Sequence, residues 1–132
     1  MIKIYDGDFE HWFASVEEAR EARIGEDKLG PVVREQRKAA ISAECRRRIY
    51  AAASAEAQMN MATSAAIISG KAEADRSEDE VTVLDGVRLA LDWVVSMRAA
   101  FESMSKDPDA DYLADAAWPV LPPEIPPIID RF

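Results

Sequence analysis

Apolar residues recur at helical spacing along two long stretches of the chain, which a short polar link separates. Steps of three and four residues place them on one face of a helix, and in the second stretch they are typical of a coiled-coil seam. The pattern predicts two long antiparallel helices, one from about Pro31 to Ile68 and one from about Ser77 to Met104. The predicted seam consists of Ile41, Cys45, Ile49, Met61 and Ile68 on the first helix and Leu84, Val87, Leu91 and Val94 on the second.

Residues that start and stop helices support these bounds. Pro31 suits a first helical turn, where its missing N–H would be unpaired anyway, and no glycine or proline follows before Gly70. Ser77 and Glu80 have the spacing of a capping box, which predicts the start of the second helix there. Gly86 lies inside that helix, so it marks either a close crossing or a small break.

The first 30 residues predict a small β-hairpin followed by a short helix. Residues 2–5 alternate as a strand does, Asp6 and Gly7 suit a tight turn, and residues 8–13 can return as the second strand. We expect their apolar side chains to form one cluster. Ser15 and Glu18 predict a short helix to about Arg23, and a polar break over 25–30. The expected cluster comprises Ile2, Ile4, Phe9, Trp12 and Phe13.

The last 26 residues differ in composition from the helices. Residues 107–117 are acidic, and five prolines follow Trp118, which predicts an extended, polyproline-like tail. The chain then divides into a hairpin and short helix (1–30), a helical hairpin (31–106) and an extended tail (107–132). The apolar side chains of the tail are expected to dock in a groove, either on this protein or on a partner. The residues proposed for protein interaction are Trp93, Met97, Phe101, Trp118, Leu121, Ile125, Ile128, Ile129 and Phe132.

Charge narrows the possible partners. The net charge is −9, and residues 31–70 carry 6 basic and 3 acidic groups whereas residues 71–132 carry 6 and 14. The two helices therefore attract each other, and the whole molecule repels nucleic acid. Arg46, Arg47 and Arg48 spread over about 200° of a helix at ~3.6 residues per turn, which favours salt bridges over a nucleic-acid contact. No segment is apolar enough to span a membrane, so we expect neither nucleic acid nor membrane as a partner.

The sequence carries no convincing catalytic or metal-binding pattern. His11 stands near Asp6, Asp8 and Glu10, but neighbours on a strand point to opposite faces, so a packed or surface histidine explains it better. The single cysteine, Cys45, falls among apolar helix positions and is expected to be buried. Glycines are scattered and form no phosphate loop. The expectation is a protein that is not an enzyme and needs no cofactor.

Alanine supplies much of the predicted seam, and alanine buries little area. At about 25 cal/mol per Å² of apolar surface, such a seam stabilises a lone two-helix hairpin only weakly. We therefore expect the remaining apolar surface to be covered by association, with a homo-oligomer of three copies as the favoured arrangement.

The middle of the chain resembles a helical segment of tail-associated proteins from tailed phages and prophages. That segment has an Ala-Glu and Arg-Arg-Ile helix followed by Gln-x-Asn, whereas this chain lacks the aromatic residue that often precedes the last motif. The matching residues here are Ala43 to Ile49, Gln58 to Asn60, Ser77 to Glu80, Trp93, Met97 to Ala100, Trp118-Pro119 and Ile128 to Phe132.

The resemblance implies a non-enzymatic component of a phage virion tail, either a tail-fibre subunit or one that attaches a fibre or baseplate. It implies other tail proteins as partners, and a protein made in the bacterial host cytoplasm and located in the virion. The alternative is a cytoplasmic tail-fibre assembly chaperone or a small acidic protein-binding module.

Overall fold

The computed structural model, which describes residues 1–132, is mainly helical with one small N-terminal sheet. Contacts divide the chain into two compact units, residues 1–42 and 43–132. This boundary differs from the expected one near residue 30, and residues 107–132 belong to the same unit as the helical hairpin. The elements are β1 (Ile2–Asp6), β2 (Phe9–Phe13), α1 (Val16–Glu21), α2 (Glu26–Ala52), α3 (Ala55–Ser69), α4 (Glu78–Ser105) and α5 (Ile125–Ile129).

The predicted β-hairpin is confirmed. β1 and β2 pair antiparallel, with Ile2 opposite Phe13, and Gly7 adopts a φ of 64° in the turn. The inner face packs on α1 and the start of α2 through a core of Ile4, Val16, Ala19 and Leu29. The expected aromatic cluster is only partly correct, because Phe9 and Trp12 are 74% and 55% exposed. Phe9 flanks the turn, and Trp12 lies opposite Lys3 on the outer face.

Helix α2 begins earlier than predicted. Its first residue is Glu26, so the polar break expected over 25–30 is wrong and Pro31 lies inside the helix. Leu29, which lies in this additional helical turn, is fully buried in the N-terminal core, and its burial stabilises the helical conformation there.

The long first helix is in fact two helices. A break at Ala53 and Ser54 separates α2 from α3, and the Ser54 hydroxyl accepts from Ala57 N at 3.1 Å as the N-cap of α3. Gln58 Nε2 donates to Ala53 O at 2.8 Å across the break. Neither glycine nor proline marks this position, and apolar periodicity continues through it, so the pattern predicted one helix.

The second long helix agrees with prediction. Ser77 and Glu80 form a complete capping box at the start of α4, and α4 packs antiparallel to α3. Lys71 bonds to Glu80 at 2.6 Å, and Arg76 Nε donates to Ile68 O at 3.1 Å, so the link between the helices is tied to both. The core between them consists of Met61, Ile68, Val83, Leu84, Val87 and Ile128.

The proline-rich segment is not an extended tail throughout. Residues 125–129 form the short helix α5, which packs on α4. Pro126 and Pro127 stand in its first turn, where backbone N–H groups have no partner within the helix, so proline costs little there. Gly86 lies where α5 meets α4: a methyl group at this position would lie 2.5 Å from Ile128 Cγ1. Of the two roles predicted for Gly86, the close crossing is the one observed.

Candidate functional site

An apolar cleft of about 400 Å³ lies in the second unit and is the candidate site. The end of α2, α3, α4 and the C-terminal segment form its walls. None of its lining residues is ionisable, and Gln58 is the only one with a polar amide or hydroxyl. The cleft is lined by Ile49, Ala52, Ala53, Gln58, Met61, Ala62, Ala65, Val87, Ala90, Leu91, Trp93, Val94, Leu121, Ile125 and Ile129.

Alanine accounts for the open space. Ala52 ends α2, Ala53 follows it in the break, Ala62 and Ala65 lie on α3, and Ala90 lies on α4. Two helices with larger residues at these positions would close the gap between them, because interiors pack to the density of organic crystals. Alanines cannot reach across, so the alanine-rich seam leaves a hollow between the helices.

Two tryptophans hold the C-terminal wall of the cleft. Trp93 Nε1 donates to Pro119 O at 3.2 Å, and Trp118 Nε1 donates to Tyr112 O at 2.7 Å. Both rings are buried, and a buried indole N–H that lacked a partner would be costly. The Trp93 bond attaches the segment before α5 to α4, and the Trp118 bond holds that segment's own conformation. Together they fix the position of this wall of the cleft.

A charged network fastens the same segment to α2. Glu44 accepts from Arg47 Nη2 at 2.7 Å and from Arg48 Nε at 2.8 Å, and Arg48 continues to Asp115 Oδ1 at 2.9 Å. Hydrogen bonds from Arg47, against the opposing effect of burial and together with those from Arg48, lower the pKa of Glu44 from 4.5 to about 2. The Arg48 guanidinium also lies 5.6 Å from the centroid of the Trp118 ring. Salt bridges were the expected role of this arginine cluster, and for Arg47 and Arg48 that prediction is confirmed.

Most residues predicted to contact other proteins are covered by the chain itself. Trp93, Met97, Trp118, Ile125 and Ile128 are buried within the single chain. Residues 118–132 fold back on the hairpin, so the tail residues among them dock on this protein, which is one of the two places expected for them. The remaining predicted contact residues, Phe101, Leu121, Ile129 and Phe132, are half-buried.

The residues of the predicted seam differ in how far they are buried. Its half-buried members are Ile49 and Val94, and Leu91 is 60% exposed at the cleft, so its prediction as a packed seam residue is wrong. The alanines opposite Leu91 are too short to cover it. The buried members are Ile41, Cys45, Met61, Ile68, Leu84 and Val87.

Cys45 behaves as predicted. It is buried and its thiol points to Met97 O, with an Sγ–O distance of 3.7 Å. Burial raises the pKa of this thiol, which disfavours the reactive thiolate.

Other candidate chemistry finds no geometric support. His11 is exposed and stacks on Phe13 at a centroid distance of 6.3 Å. The structure places no three His, Cys, Asp or Glu side chains together as a metal site. No helix combines the length and apolar character that crossing a membrane requires.

Sequence reasoning missed two parts of this site. The network from Glu44 to Asp115 joins residues 71 positions apart, and nothing local to either predicts the pairing. The break at Ser54 was missed as well. Serine is a preferred N-cap residue, so Ser54 could have indicated that a new helix begins there.

Comparison of the chain with protein-family models, curated proteins and solved structures gave no match.

Proposed function

We propose that this protein acts by binding another protein, without catalysis, and that the apolar cleft is the binding site. The observation that carries the proposal is the lining: about 400 Å³ of open space bounded by apolar side chains, with no ionisable group for proton transfer. Clefts of this size and character take apolar ligands or side chains.

The shape of the cleft favours a helical occupant. Its floor is made of alanines, so an occupant with leucine-sized residues at positions i, i+3 or i+4 and i+7 would fill what the alanines leave open. Leu91, at the edge of the cleft, would pack against such a helix. The Leu91 side chain is 60% exposed in the free protein, and binding would lower that exposure.

We further propose that the partner is a phage tail protein, and this rests on the sequence resemblance alone. Two roles are compatible with it: a virion tail component, or a factor that assists tail-fibre assembly. A virion component would need apolar surface that other subunits cover. Because the chain buries Trp93, Met97 and Trp118 itself, we favour the assembly factor or protein-binding module.

Replacing Ala62 tests the cleft. This residue is exposed at the edge of the cleft, so Ala62→Trp places an indole in the cleft without disturbing the core. A photo-crosslinking residue at Leu91 would identify the bound segment by mass spectrometry. We expect one apolar segment of a tail protein to be crosslinked. Ala62→Trp should abolish this crosslinking, because the indole occupies the cleft. Ala99→Trp, on an exposed position of α4 outside the cleft lining, is the matched control and should leave crosslinking intact.

Undiminished crosslinking in Ala62→Trp would show that the cleft is not the binding site. The phage setting is tested separately by quantifying the chain in purified particles. A fixed copy number indicates a tail component, whereas absence from particles whose tails fail to form without the protein indicates an assembly factor. Particles that form normally without the protein would refute a role in the phage tail.

A further inference from the structure

Apolar surface continues along α2 and α4 beyond the residues that line the cleft. On α4, Leu91 at the edge of the cleft is followed four residues later by Val95, on the same side of the helix, and the two are 60% and 65% exposed. On α2, Tyr50 is 43% exposed beside the lining residue Ile49. A helix bound in the cleft can therefore cover further apolar surface at this end.

Two arginines stand at the same end of the cleft. Cys45 Sγ lies 3.7 Å from Met97 O, so these two residues of α2 and α4 lie side by side, and the next residue of each helix is an arginine, Arg46 and Arg98. Because the two helices run antiparallel, both arginines turn to the same side of the pair. Burial raises the pKa of the Cys45 thiol, and the nearby Arg98 charge opposes that rise. Each arginine lies about one helical turn, ~5 Å, beyond the last lining residue of its own helix.

Both arginines are exposed, and neither forms a salt bridge within the chain. Arg46 lies over the Tyr50 ring, 5.3 Å from its centroid, which engages the face of the guanidinium and leaves the N–H groups around its edge available. Glu102 follows Arg98 by four residues, which is the less favourable order for an ion pair on a helix. In a chain with 25 acidic and 16 basic residues, these two arginines are thus positioned to accept a carboxylate from another molecule.

We propose that the occupant of the cleft is a helix with an acidic residue about one turn beyond its apolar anchors, and that this carboxylate pairs with Arg46 and Arg98. The inference rests on the proposed function, since it names the chemistry of the segment that the same cleft binds. The lining of the cleft is uncharged and supplies affinity. A charge pair at its edge selects which apolar helix binds and fixes the register in which it lies.

Two synthetic peptides test the charge preference. Both carry leucines at positions i, i+3 and i+7 of one helix face. One peptide has glutamate, and the other has glutamine, one turn beyond each end of this stretch, so that either direction of binding presents the group to the arginines. We expect the full chain to bind the glutamate peptide about threefold to fivefold more tightly at low ionic strength, as exposed ion pairs allow. Fluorescence anisotropy measures both affinities, and the difference should shrink with added salt.

Variants of the arginines locate the effect. The double variant Arg46→Gln with Arg98→Gln should lose the preference for the glutamate peptide. The matched control, Arg34→Gln with Lys38→Gln, removes two exposed basic residues of α2 that belong to the first unit, and it changes the net charge equally. We expect this control to keep the preference. Circular dichroism of both variants verifies that they are folded.

The outcomes separate this inference from the proposed function. Equal affinity for the two peptides, an unchanged preference in the arginine variant, or a preference that the control also loses would overturn the acidic occupant, even while Ala62→Trp abolished binding. If the chain bound neither peptide, or if Ala62→Trp left binding intact, the proposed function would fail and this inference with it.

Discussion

Replacing Gly86 with alanine should destabilise this protein, although the same change usually stabilises a helix. Within a helix, alanine is favoured over glycine by about 1 kcal/mol. At position 86, however, the added methyl would lie 2.5 Å from Ile128 Cγ1, 3.1 Å from Cγ2 and 3.2 Å from Cβ. Carbon atoms prefer separations of about 3.5–4.0 Å, and a β-branched side chain has few rotamers with which to retreat.

Relief therefore requires α5 to move away from α4 by roughly 1 Å, the difference between these separations and normal contact. Overpacking of this kind costs about 1–3 kcal/mol. After the helix-propensity gain is subtracted, the free energy of unfolding should fall by about 0–2 kcal/mol. The sign of this change is informative, because replacing an uncrowded helical glycine with alanine would raise the free energy of unfolding.

Urea unfolding followed by circular dichroism measures the effect. Gly30→Ala is the matched control, since it also lies inside a helix and its methyl would meet only the flexible end of Arg34, at 3.2 Å. We expect the control to be stabilised. Ile128→Ala should cost less in the Gly86→Ala background than alone, because it removes the clash. If Gly86→Ala is stabilised as much as the control, α5 does not lie against α4 as described.

Three further predictions concern the helices and the network that holds the C-terminal segment. Glu44→Gln should lower the free energy of unfolding by about 1.5–3 kcal/mol, since Arg48 loses its buried carboxylate partner and keeps only the exposed Asp115. The Glu44 pKa is about 2 when folded and near 4.5 when unfolded, so its contribution is complete above pH 4.5 and is lost as pH falls toward 2. Urea midpoints should therefore drop over that range in the native protein and less in the variant, and equal drops would exclude this role. Trp118→Phe should cost about 1–2 kcal/mol through its lost hydrogen bond, and unchanged thermal unfolding would contradict that bond. Pro31→Ala should stabilise by about 1–3 kcal/mol, because proline in a helix interior removes one backbone hydrogen bond, and a lowered urea midpoint would refute this.

Local signals were enough to predict several elements from the sequence. The β-hairpin follows from alternation and the Asp6-Gly7 turn, and α4 from the capping box at Ser77 and its three- and four-residue steps. These predictions succeed because each depends on neighbours within one or two turns of the chain, where hydrogen bonding and backbone preference decide the conformation.

The cleft was not predicted, although every alanine that forms it was visible. Sequence showed that the seam was thin, and a thin seam can either close or stay open. Which occurs depends on how far the helix axes are held apart, and the larger residues at either end of the seam and the C-terminal segment set that distance. Leu91 illustrates this: its spacing predicted burial, yet it is 60% exposed because the residues opposite are too short.

By itself, the sequence determined the helical class, the N-terminal hairpin, the start of α4 and the burial of Cys45, since all of these depend on local pattern and hydrophobicity. Only the tertiary structure decided that the proline-rich segment folds back to bury Trp118 and Ile125, that Glu44 reaches Asp115 through Arg48, and that Gly86 makes room for Ile128. These contacts join residues far apart in the chain. Their free energy depends on shape and on desolvation at the contact, and neither is encoded in the spacing of residues along a single helix.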